Sequence, residues 1–428
     1  MVSVNVAFGK CGLDLELPSG PRYEILHART APPLGEVSQA LTAALDDPIG
    51  SPALGELAAG KRSAAIAVCD ITRPAPNAIT LPPLLKRLET GGIARDRIAI
   101  FIATGLHRPA TEGEMRIIVG EEIAGKYQIH NHFAKNLANH AAVGTTRSGT
   151  PVYIEKGFVD ADLHITLGFI EQHLMAGFSG GRKLIAPGLA AQETIKVLHS
   201  PKFMRQPTAV EGSISRNPLH TELLEIAAMV RHDFMLDVTL TKAREIAGVF
   251  AGNGVHAHAA GVEFVRQTLL ETLEEPVDAA ITTGAGYPLD LTFYQTIKGI
   301  SAAQHIVKPG GKILAMGECA EGLGTPEFAA KLAELTTFER YLKEILNSPV
   351  VVDQWQLEKL ALAGQNHELL FYTPGISREV SGGLAHRIYD RPDAALAELV
   401  KGLPKGARVA VIPEGSYVFA QIKDAALV

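Results

Sequence analysis

Apolar residues along this chain fall into short runs separated by turns that are rich in glycine and proline. The runs at 64–69 (AAIAVC), 97–103 (RIAIFIA) and 163–170 (LHITLGFI) are nearly continuous and partly β-branched. Such runs are typical of strands that are buried on both faces of a sheet. Helical patterns at 79–88 and 192–198 lie between or after these strands. This alternation of strands and helices predicts an α/β fold with mainly parallel sheets.

A second strand-and-helix series begins after Glu274-Glu275-Pro276, with strands predicted at 277–282 and 312–316 and a helix at 294–305. The length of 428 residues also suggests two or three domains. We therefore expect an N-terminal domain, 1–273, that binds a cofactor and carries the catalytic groups. A C-terminal α/β domain, 274–428, is expected to contribute substrate-binding residues. We expect the active site in a cleft between the two domains, and the extreme C-terminus to pack back on the first domain.

Three other segments have weaker patterns. The first thirty residues alternate between apolar and polar positions, which predicts a hairpin on the edge of the first domain. Residues 200–253 are expected to be helical and without special features. Residues 256–273 show helical periodicity and are predicted to form one helix up to the domain boundary.

Charge and composition exclude several classes of protein. The net charge is −6 and no block of lysine and arginine occurs, so a nucleic-acid partner is not expected. Three scattered cysteines suit neither a zinc motif nor a disulfide framework, which indicates a reducing compartment. The pairs His130/His132 and His256/His258 have no partners at a recognised metal-binding spacing, so we expect them to be structural or solvated. Without a leader or a long apolar span, we expect a cytoplasmic protein with no membrane partner.

Polar residues follow each of the three N-terminal strands. Asp70 and Arg73 follow the first strand, His107 the second, and His173 the third. Because the carboxyl ends of parallel strands meet at one edge of a sheet, these side chains are expected to lie together. Loops at such an edge commonly carry ligand-binding and catalytic groups.

The stretch 168–201 concentrates the strongest candidate chemistry. A glycine-rich turn containing Ser179, Gly180 and Gly181 could direct its amides toward one phosphate group. Lys183 follows the turn, and His199 is predicted to lie at the end of the next helix. The turn is not a Walker loop, because no hydroxyl residue follows the lysine, and the chain offers no complete dinucleotide fingerprint.

The second predicted domain contains a smaller set of candidate ligand-binding residues. Gln295 and Lys298 are three residues apart, so they share one helical face on which an amide and an ammonium could bind a carboxylate. Tyr294 begins the same helix. Trp355 is the single tryptophan, and its polar neighbours suggest a ring that could stack on a ligand.

Taken together, these motifs resemble the nickel-dependent lactate racemase family. The matching residues are Asp70-Ile71-Thr72-Arg73-Pro74, Thr104-Gly105-Leu106-His107-Arg108, His173, Gly177-Phe178-Ser179-Gly180-Gly181-Arg182-Lys183, His199, Tyr294-Gln295 and Lys298. The match spans both predicted domains, and the motifs are jointly specific although each is weak alone. Phe178, at a position where tyrosine would be unremarkable, is a small departure that does not touch the chemistry.

The resemblance implies a 2-hydroxyacid racemase or epimerase that carries a nickel pincer nucleotide, a pyridinium-3-thioamide-5-thiocarboxylic acid mononucleotide. It implies that Lys183 holds this cofactor covalently, that His199 binds nickel, and that His107 and His173 are the acid/base pair. Reversible hydride transfer through a 2-keto acid follows from the same likeness. The residues expected to bind the cofactor are Ser179, Gly180, Gly181 and Trp355. The residues expected to bind the substrate are Asp70, Arg73, Tyr294, Gln295 and Lys298.

Several alternatives remain open from the sequence. Lactate is the default substrate, but malate or a longer-chain or sugar 2-hydroxy acid fits the same motifs. Lys183 could instead form a Schiff base, or the protein could bind a nucleotide or hydroxy acid without turning it over. No part of the chain resembles machinery that installs sulfur or nickel, so cofactor-biosynthesis enzymes are expected as maturation partners.

Overall fold

A computed structural model describes residues 2–423 of the chain. The strands up to residue 178 are β1 (Val2–Val6), β2 (Leu13–Leu17), β3 (Arg22–Ile25), β4 (Ala64–Cys69), β5 (Ile98–Ala103), β6 (Gln128–Asn131), β7 (His140–Thr145), β8 (Pro151–Glu155), β9 (Leu163–Phe169), β10 (Gln172–His173) and β11 (Gly177–Phe178). The later strands are β12 (Phe234–Leu240), β13 (Ile246–Gly252), β14 (Leu270–Leu273), β15 (Val277–Thr283), β16 (Val307–Met316), β17 (Glu368–Tyr372), β18 (Arg408–Ile412) and β19 (Phe419–Ile422).

The α-helices lie between these strands. In the first half they are α1 (Val37–Asp46), α2 (Leu54–Ala58), α3 (Asn77–Thr90), α4 (Glu112–Val119), α5 (Glu121–Ala124), α6 (Lys156–Val159), α7 (Arg182–Ile185), α8 (Gln192–Leu198) and α9 (Pro201–Met204). In the second half they are α10 (Pro218–Met229), α11 (His256–Leu269), α12 (Phe293–Ala303), α13 (Pro326–Ala333), α14 (Phe338–Glu344), α15 (Gln354–Asn366) and α16 (Pro392–Val400). Within residues 2–423, none of the helices has both the length and the apolar character that crossing a membrane requires.

Contacts within the chain group its residues into two units. The central unit consists of Thr30–Leu198 and Thr208–Thr268. The terminal unit consists of residues 2–29, His199–Pro207 and residues 269–423. Residues 2–29 and His199–Pro207 therefore group with the C-terminal half, although the sequence places them in a domain that spans 1–273. Strand pairing explains this for the N-terminus, since β3 pairs with β18.

The central unit is built on a six-stranded sheet of order β13-β12-β9-β4-β5-β6. All neighbours are parallel except β13, which runs antiparallel to β12. Apolar residues of α1, α3 and α4 form one core with alternate residues of the sheet, for example Leu85 with Ile66 and Ile100. The predicted parallel α/β architecture is confirmed in this unit, and it places the carboxyl ends of β4, β5 and β9 at one edge.

The terminal unit contains a five-stranded parallel sheet of order β17-β16-β15-β18-β3. One face packs on apolar residues of α12–α15, such as Ile297 and Leu360. The other face packs on α16 and on the hairpin formed by β1 and β2. The hairpin is thus confirmed, but its expected place on the edge of the first domain is wrong, because Val6 and Leu15 belong to the core of the terminal sheet.

Two other expectations are wrong. Residues 200–253 are not uniformly helical, since β12 and β13 form a buried antiparallel pair there. The polar residues Asp237 and Thr239 interrupt the apolar run of β12 and hide its strand character. The helix predicted for 256–273 ends at Leu269, where the chain turns into β14. The β14 strand pairs with β19, so the end of the described chain packs on residues 270–273.

Candidate active site

Asp70 and His107 form a hydrogen-bonded pair at the carboxyl edge of the central sheet. Asp70 follows β4, whose six residues are all buried, and His107 lies in the loop after the parallel neighbour β5. The Nδ1 atom of His107 is 2.7 Å from Oδ2 of Asp70. The Asp70 side chain is 6% exposed whereas that of His107 is 51% exposed. The predicted convergence of these two loops is therefore present in the fold.

The surroundings of Asp70 keep its carboxyl group ionised. Burial by itself raises the pKa of Asp70, but the hydrogen bond and charge of His107, the Thr72 hydroxyl and the charge of Arg73 together lower it below its usual range. Since the carboxylate can only accept, Nδ1 of His107 carries the proton of this hydrogen bond. In the neutral ring, the outer atom Nε2 of His107 then has a lone pair. A half-exposed imidazole in this state is a proton acceptor.

His173 and Lys183 form a second pair. Nζ of Lys183 lies 3.0 Å from Nε2 of His173. On the other side of the ring, the amides of Met175 and Ala176 donate to Nδ1 at 3.4 and 3.2 Å. Because Nδ1 accepts these hydrogen bonds, the proton of the neutral ring lies on Nε2 and is donated to the lysine. A lysine can accept a hydrogen bond only as the neutral amine.

The charge state of Lys183 agrees with this geometry. Burial lowers the pKa of Lys183 to about 7, and the positive charges of Arg73 and Arg182 add to the effect. A neutral amine near neutral pH is a nucleophile, unlike an ordinary lysine with a pKa near ~10.4. Lys183 is the second residue of the short helix α7, which follows the glycine turn, and its amide donates to the Gly180 carbonyl. Backbone hydrogen bonds thus fix the start of this reactive side chain.

The glycine turn is organised around a residue that the sequence analysis missed. Asp237, on the unpredicted strand β12, accepts a 2.7 Å hydrogen bond from the Gly181 amide. The Ser179 amide donates to the Glu171 carbonyl, and the Ser179 hydroxyl donates to the Phe169 carbonyl. The Ser179 and Gly181 amides therefore bond within the chain, and phosphate binding at this turn stays a prediction. Burial raises the pKa of Asp237 to about 7, which marks it as an unusual carboxyl group.

Arg182, which is fully buried, binds the backbone of the same glycine turn. The guanidinium of Arg182 contacts His220 and His258 through ring nitrogens at 3.1 and 2.6 Å. It also donates to four carbonyl oxygens, those of Ala176, Phe178, Ser179 and Gly180. The pKa of His220 is lowered to about 3 by burial and by the charge of Arg182, so this ring is neutral beside the cation. His258 has the structural role that the sequence analysis expected.

His199 lies directly after α8, as predicted, and belongs to the terminal unit. Its ring centre is 4.6 Å from that of Trp355 in the first turn of α15, with the planes inclined at 46°. Trp355 is buried at 7% exposure, so the indole packs on the histidine and restricts its orientation. The prediction that Trp355 could stack on a ligand is not tested by this contact.

The other predicted residues of the terminal unit lie on α12. Gln295 and Lys298 share a face of this helix, and both are partly buried. The Gln295 side-chain oxygen is buried and has no hydrogen-bond partner among residues 2–423. The Tyr294 hydroxyl donates to Asp353 at 3.2 Å. An unpartnered buried amide oxygen is costly, and a ligand with a hydroxyl donor would satisfy it.

Family models match most of the chain. The description "Lactate racemase N-terminal domain" fits residues 8–212, and "Lactate racemase C-terminal domain" fits residues 273–420. Curated relatives include the lactate racemase of Thermoanaerobacterium thermosaccharolyticum, which is 33% identical over 99% of this chain and 100% of its own length. The lactate racemase of Lactiplantibacillus plantarum is 36% identical over 87% of this chain and 88% of its own length.

Solved structures agree with these matches. The lactate racemase apoprotein from T. thermosaccharolyticum superposes with a TM-score of 0.89 at 32% identity, covering 98% of this chain and 100% of that one. A protein from Thermotoga maritima superposes with a TM-score of 0.66 at 17% identity, covering 92% of this chain and 100% of that chain, and shows the fold alone. From the matching models, relatives and fold, we conclude that the chain belongs to the lactate racemase family and is an enzyme, an isomerase of the racemase class.

Proposed function

We propose that this enzyme interconverts the two enantiomers of lactate. The observation that carries the proposal is the presence of two differently supported histidines at one sheet edge, His107 on Asp70 and His173 on Lys183. Inversion at a carbinol carbon requires proton transfer to and from the hydroxyl group in two mirror-related poses. Two histidines meet this requirement because an imidazole can both accept and return a proton near neutral pH. The names of the curated relatives support lactate as the substrate.

His107 and His173 start from different protonation arrangements. Asp70 holds the Nδ1 proton of His107, so Nε2 of His107 takes a hydroxyl proton as base. His173 directs its Nε2 proton toward the neutral Lys183 amine. Acylation of that amine removes its basic lone pair, so Nε2–H of His173 loses this acceptor. His173 then acts as a base at Nε2 in the tautomer whose proton lies on Nδ1, and as an acid from the imidazolium that it forms by taking the hydroxyl proton. Loading of Lys183 is thus coupled to activation of His173.

The residues present fit a covalently attached nickel pincer nucleotide. Lys183 offers the neutral amine that a thioamide linkage needs, and His199 offers an imidazole whose ring is oriented by Trp355. When bound, this cofactor supplies a hydride acceptor for the α-hydrogen, so that the substrate passes through a 2-keto acid. Imidazole is a suitable donor for nickel. Because the Ser179 and Gly181 amides are engaged, phosphate binding at the turn requires Gly181 to exchange its bond with Asp237.

The ion pair that Arg108 forms with Glu114 favours lactate over a dicarboxylate as the substrate. A second carboxylate on malate or on a sugar acid would need an extra cation, and Arg108 is the nearest such residue in the His107 loop. The two terminal nitrogens of Arg108, Nη1 and Nη2, already donate to the carboxylate of Glu114, at 2.7 and 2.5 Å. The carboxylate of lactate is assigned to Arg73 and Lys298 together with the amide group of Gln295. Asp70 and Tyr294, the other residues expected to bind the substrate, have partners of their own. Asp70 accepts a hydrogen bond from His107, and the Tyr294 hydroxyl donates to Asp353.

The test is chiral chromatography of single-enantiomer lactate incubated with protein that has been co-expressed with the cofactor-making enzymes, the proposed maturation partners. We expect both enantiomers to reach the racemic mixture, with malate and longer 2-hydroxy acids as comparison substrates. If the enzyme inverts malate but not lactate, malate replaces lactate as the assigned substrate. Inversion of none of them would contradict the proposal and favour a binding protein. A borohydride-reducible adduct at Lys183 would instead identify a Schiff base.

A further inference from the structure

A cluster of three metal-binding side chains lies in the central unit away from the residues described above. His132 follows β6, His140 begins β7 and Glu155 ends β8. One donor atom from each of the three side chains lies within 4.8 Å of the others. His132 is completely buried and His140 is 8% exposed. In the sequence, the histidine next to His132 is His130, whereas the fold brings His132 to residues 8 and 23 positions later in the chain.

The two rings face each other through their Nε2 atoms, and the carbonyl groups of Gly105 and Ala190 also lie near the His132 ring. Nε2 of His132 lies 3.0 Å from Nε2 of His140. Nδ1 of His140 is 2.9 Å from the Asn136 carbonyl, which can only accept, so the proton lies on Nδ1 and Nε2 has the lone pair. Nδ1 of His132 faces the Thr104 hydroxyl at 3.2 Å, and this hydroxyl is 3.0 Å from the His132 carbonyl, to which it donates. His132 Nδ1 is then the donor to Thr104.

Two lone pairs at 3.0 Å repel unless a cation lies between them. Ring nitrogens anchored on one side by an oxygen acceptor, with the other nitrogen directed at a metal, are the usual arrangement of histidine ligands. The third side chain offers a carboxyl oxygen, since Oε2 of Glu155 is buried and lacks a hydrogen-bond partner among residues 2–423.

We propose that His132, His140 and Glu155 bind one zinc-type divalent ion through two imidazole nitrogens and one carboxylate oxygen. Two imidazoles and a carboxylate suit Zn²⁺ and neighbouring transition metals, whereas Ca²⁺ and Mg²⁺ prefer all-oxygen sites. The fourth position is left for water. Glu155 also lines a cavity of about 590 Å³ together with His130, Asn131 and Phe133, which provides an entry path from solvent.

The ion would tie the β7–β8 hairpin to the end of β6 and support the catalytic loop. His132 contacts Thr104, the first residue after β5, and the Thr104 carbonyl accepts a hydrogen bond from the His107 amide. Fixing the His132 ring therefore restricts the start of the loop that presents His107. The role assigned to the ion is structural, because none of its three ligands takes part in the proton transfers described above.

The test uses the full chain expressed without added nickel and without the cofactor-making enzymes, treated with a chelator and then titrated with Zn²⁺. We expect about one zinc ion per chain by elemental analysis, an increase of the thermal unfolding midpoint on binding, and X-ray absorption that shows nitrogen and oxygen ligands at about 2.0–2.1 Å. His140→Gln and Glu155→Gln should each weaken zinc affinity at least tenfold. The control His130→Gln, on an exposed neighbour, should bind zinc as the unaltered chain does.

The glutamate variant keeps the test valid if a histidine variant does not fold, since glutamine has the same shape as glutamate. His199→Gln serves as a second control that removes the expected nickel ligand and leaves zinc stoichiometry unchanged. Absence of stoichiometric zinc in the unaltered chain would overturn the proposal, and the two histidines would then share a proton. Zinc binding that survives both His140→Gln and Glu155→Gln would overturn it as well.

Discussion

Nε2 of His173 lies 3.0 Å from Nζ of Lys183, and the backbone amides on the far side of the ring place the histidine proton between them. This arrangement is self-consistent only when the lysine is a neutral amine. Burial and two neighbouring arginines bring the pKa of Lys183 to about 7 and make that state accessible. The geometry and the electrostatics therefore agree on a neutral amine at Lys183, which is the state that the proposed covalent attachment needs.

Lys183 should react with acylating reagents far faster than other lysines in the cofactor-free chain. Its labelling rate should reach half its maximum near pH 7, whereas exposed lysines require a pH near ~10.4. Peptide mass spectrometry after brief labelling at several pH values measures this rate, with Lys202 as an internal control. Labelling of Lys183 that parallels that of Lys202 at every pH would contradict a lowered pKa.

The same residue should affect stability. Because the folded pKa of Lys183 is lowered, the unfolded chain binds more protons between pH ~7 and ~10.4, and stability from this group rises with pH in that window. Lys183→Met should remove this rise, which is measured as the difference in unfolding free energy between the two proteins across the window. An unchanged pH dependence in the variant would show that Lys183 is protonated in the fold.

Asp70→Asn should reduce turnover by about 10²–10⁴-fold, because an amide does not stabilise the protonated imidazole that His107 forms as base. Binding of lactate should change much less, so the effect appears in kcat more than in KM. The lowered pKa of Asp70 adds stability above its unfolded pKa of ~3.9, and this stability is lost as the pH falls through the folded value. Acid unfolding of the variant should accordingly lack that component.

His107→Ala and His173→Ala should each abolish racemisation while lactate still binds. If each histidine serves one pose of the substrate, each variant retains single-turnover oxidation of one enantiomer, and the two variants retain opposite ones. Rapid-quench assays of the 2-keto acid with separate enantiomers measure this preference. The exposed His256 provides a matched control, since His256→Ala should racemise lactate at the normal rate. If both variants lose the oxidation of the same enantiomer, the two-histidine assignment is contradicted.

Asp237→Asn should make the stability of the protein less dependent on pH. Burial raises the pKa of Asp237 to about 7, so the folded chain binds more protons than the unfolded chain between pH ~4 and ~7. The stability contributed by the group falls as the pH rises through this range, and the neutral asparagine removes the fall. Asparagine can still accept the Gly181 amide proton, so the turn should remain intact. Denaturant unfolding at pH 5 and pH 8 compares the two proteins.

Local patterns in the sequence determined the strands β4, β5 and β9, and with them the loops that carry Asp70 and His107. A buried parallel strand is recognisable from a continuous apolar run, and parallel strands bring their following loops to one edge regardless of sequence distance. The capping box of Thr111 and Glu114 at the start of α4 is also a local feature, because its two residues are three positions apart. The family motifs added the expected roles of Lys183 and His199.

Tertiary structure alone decided the groups that depend on distant partners. Asp237 reaches the Gly181 amide across 56 positions and Glu155 reaches His132 across 23. The N-terminal hairpin packs on a sheet in which every strand except β3 lies at residue 277 or later. Burial, which sets the pKa of Lys183 and of Asp237, is a property of the assembled core and not of the neighbouring sequence. The sequence by itself determined which side chains are available for chemistry, whereas the fold decided which are neutral, which are paired and which are left without a partner.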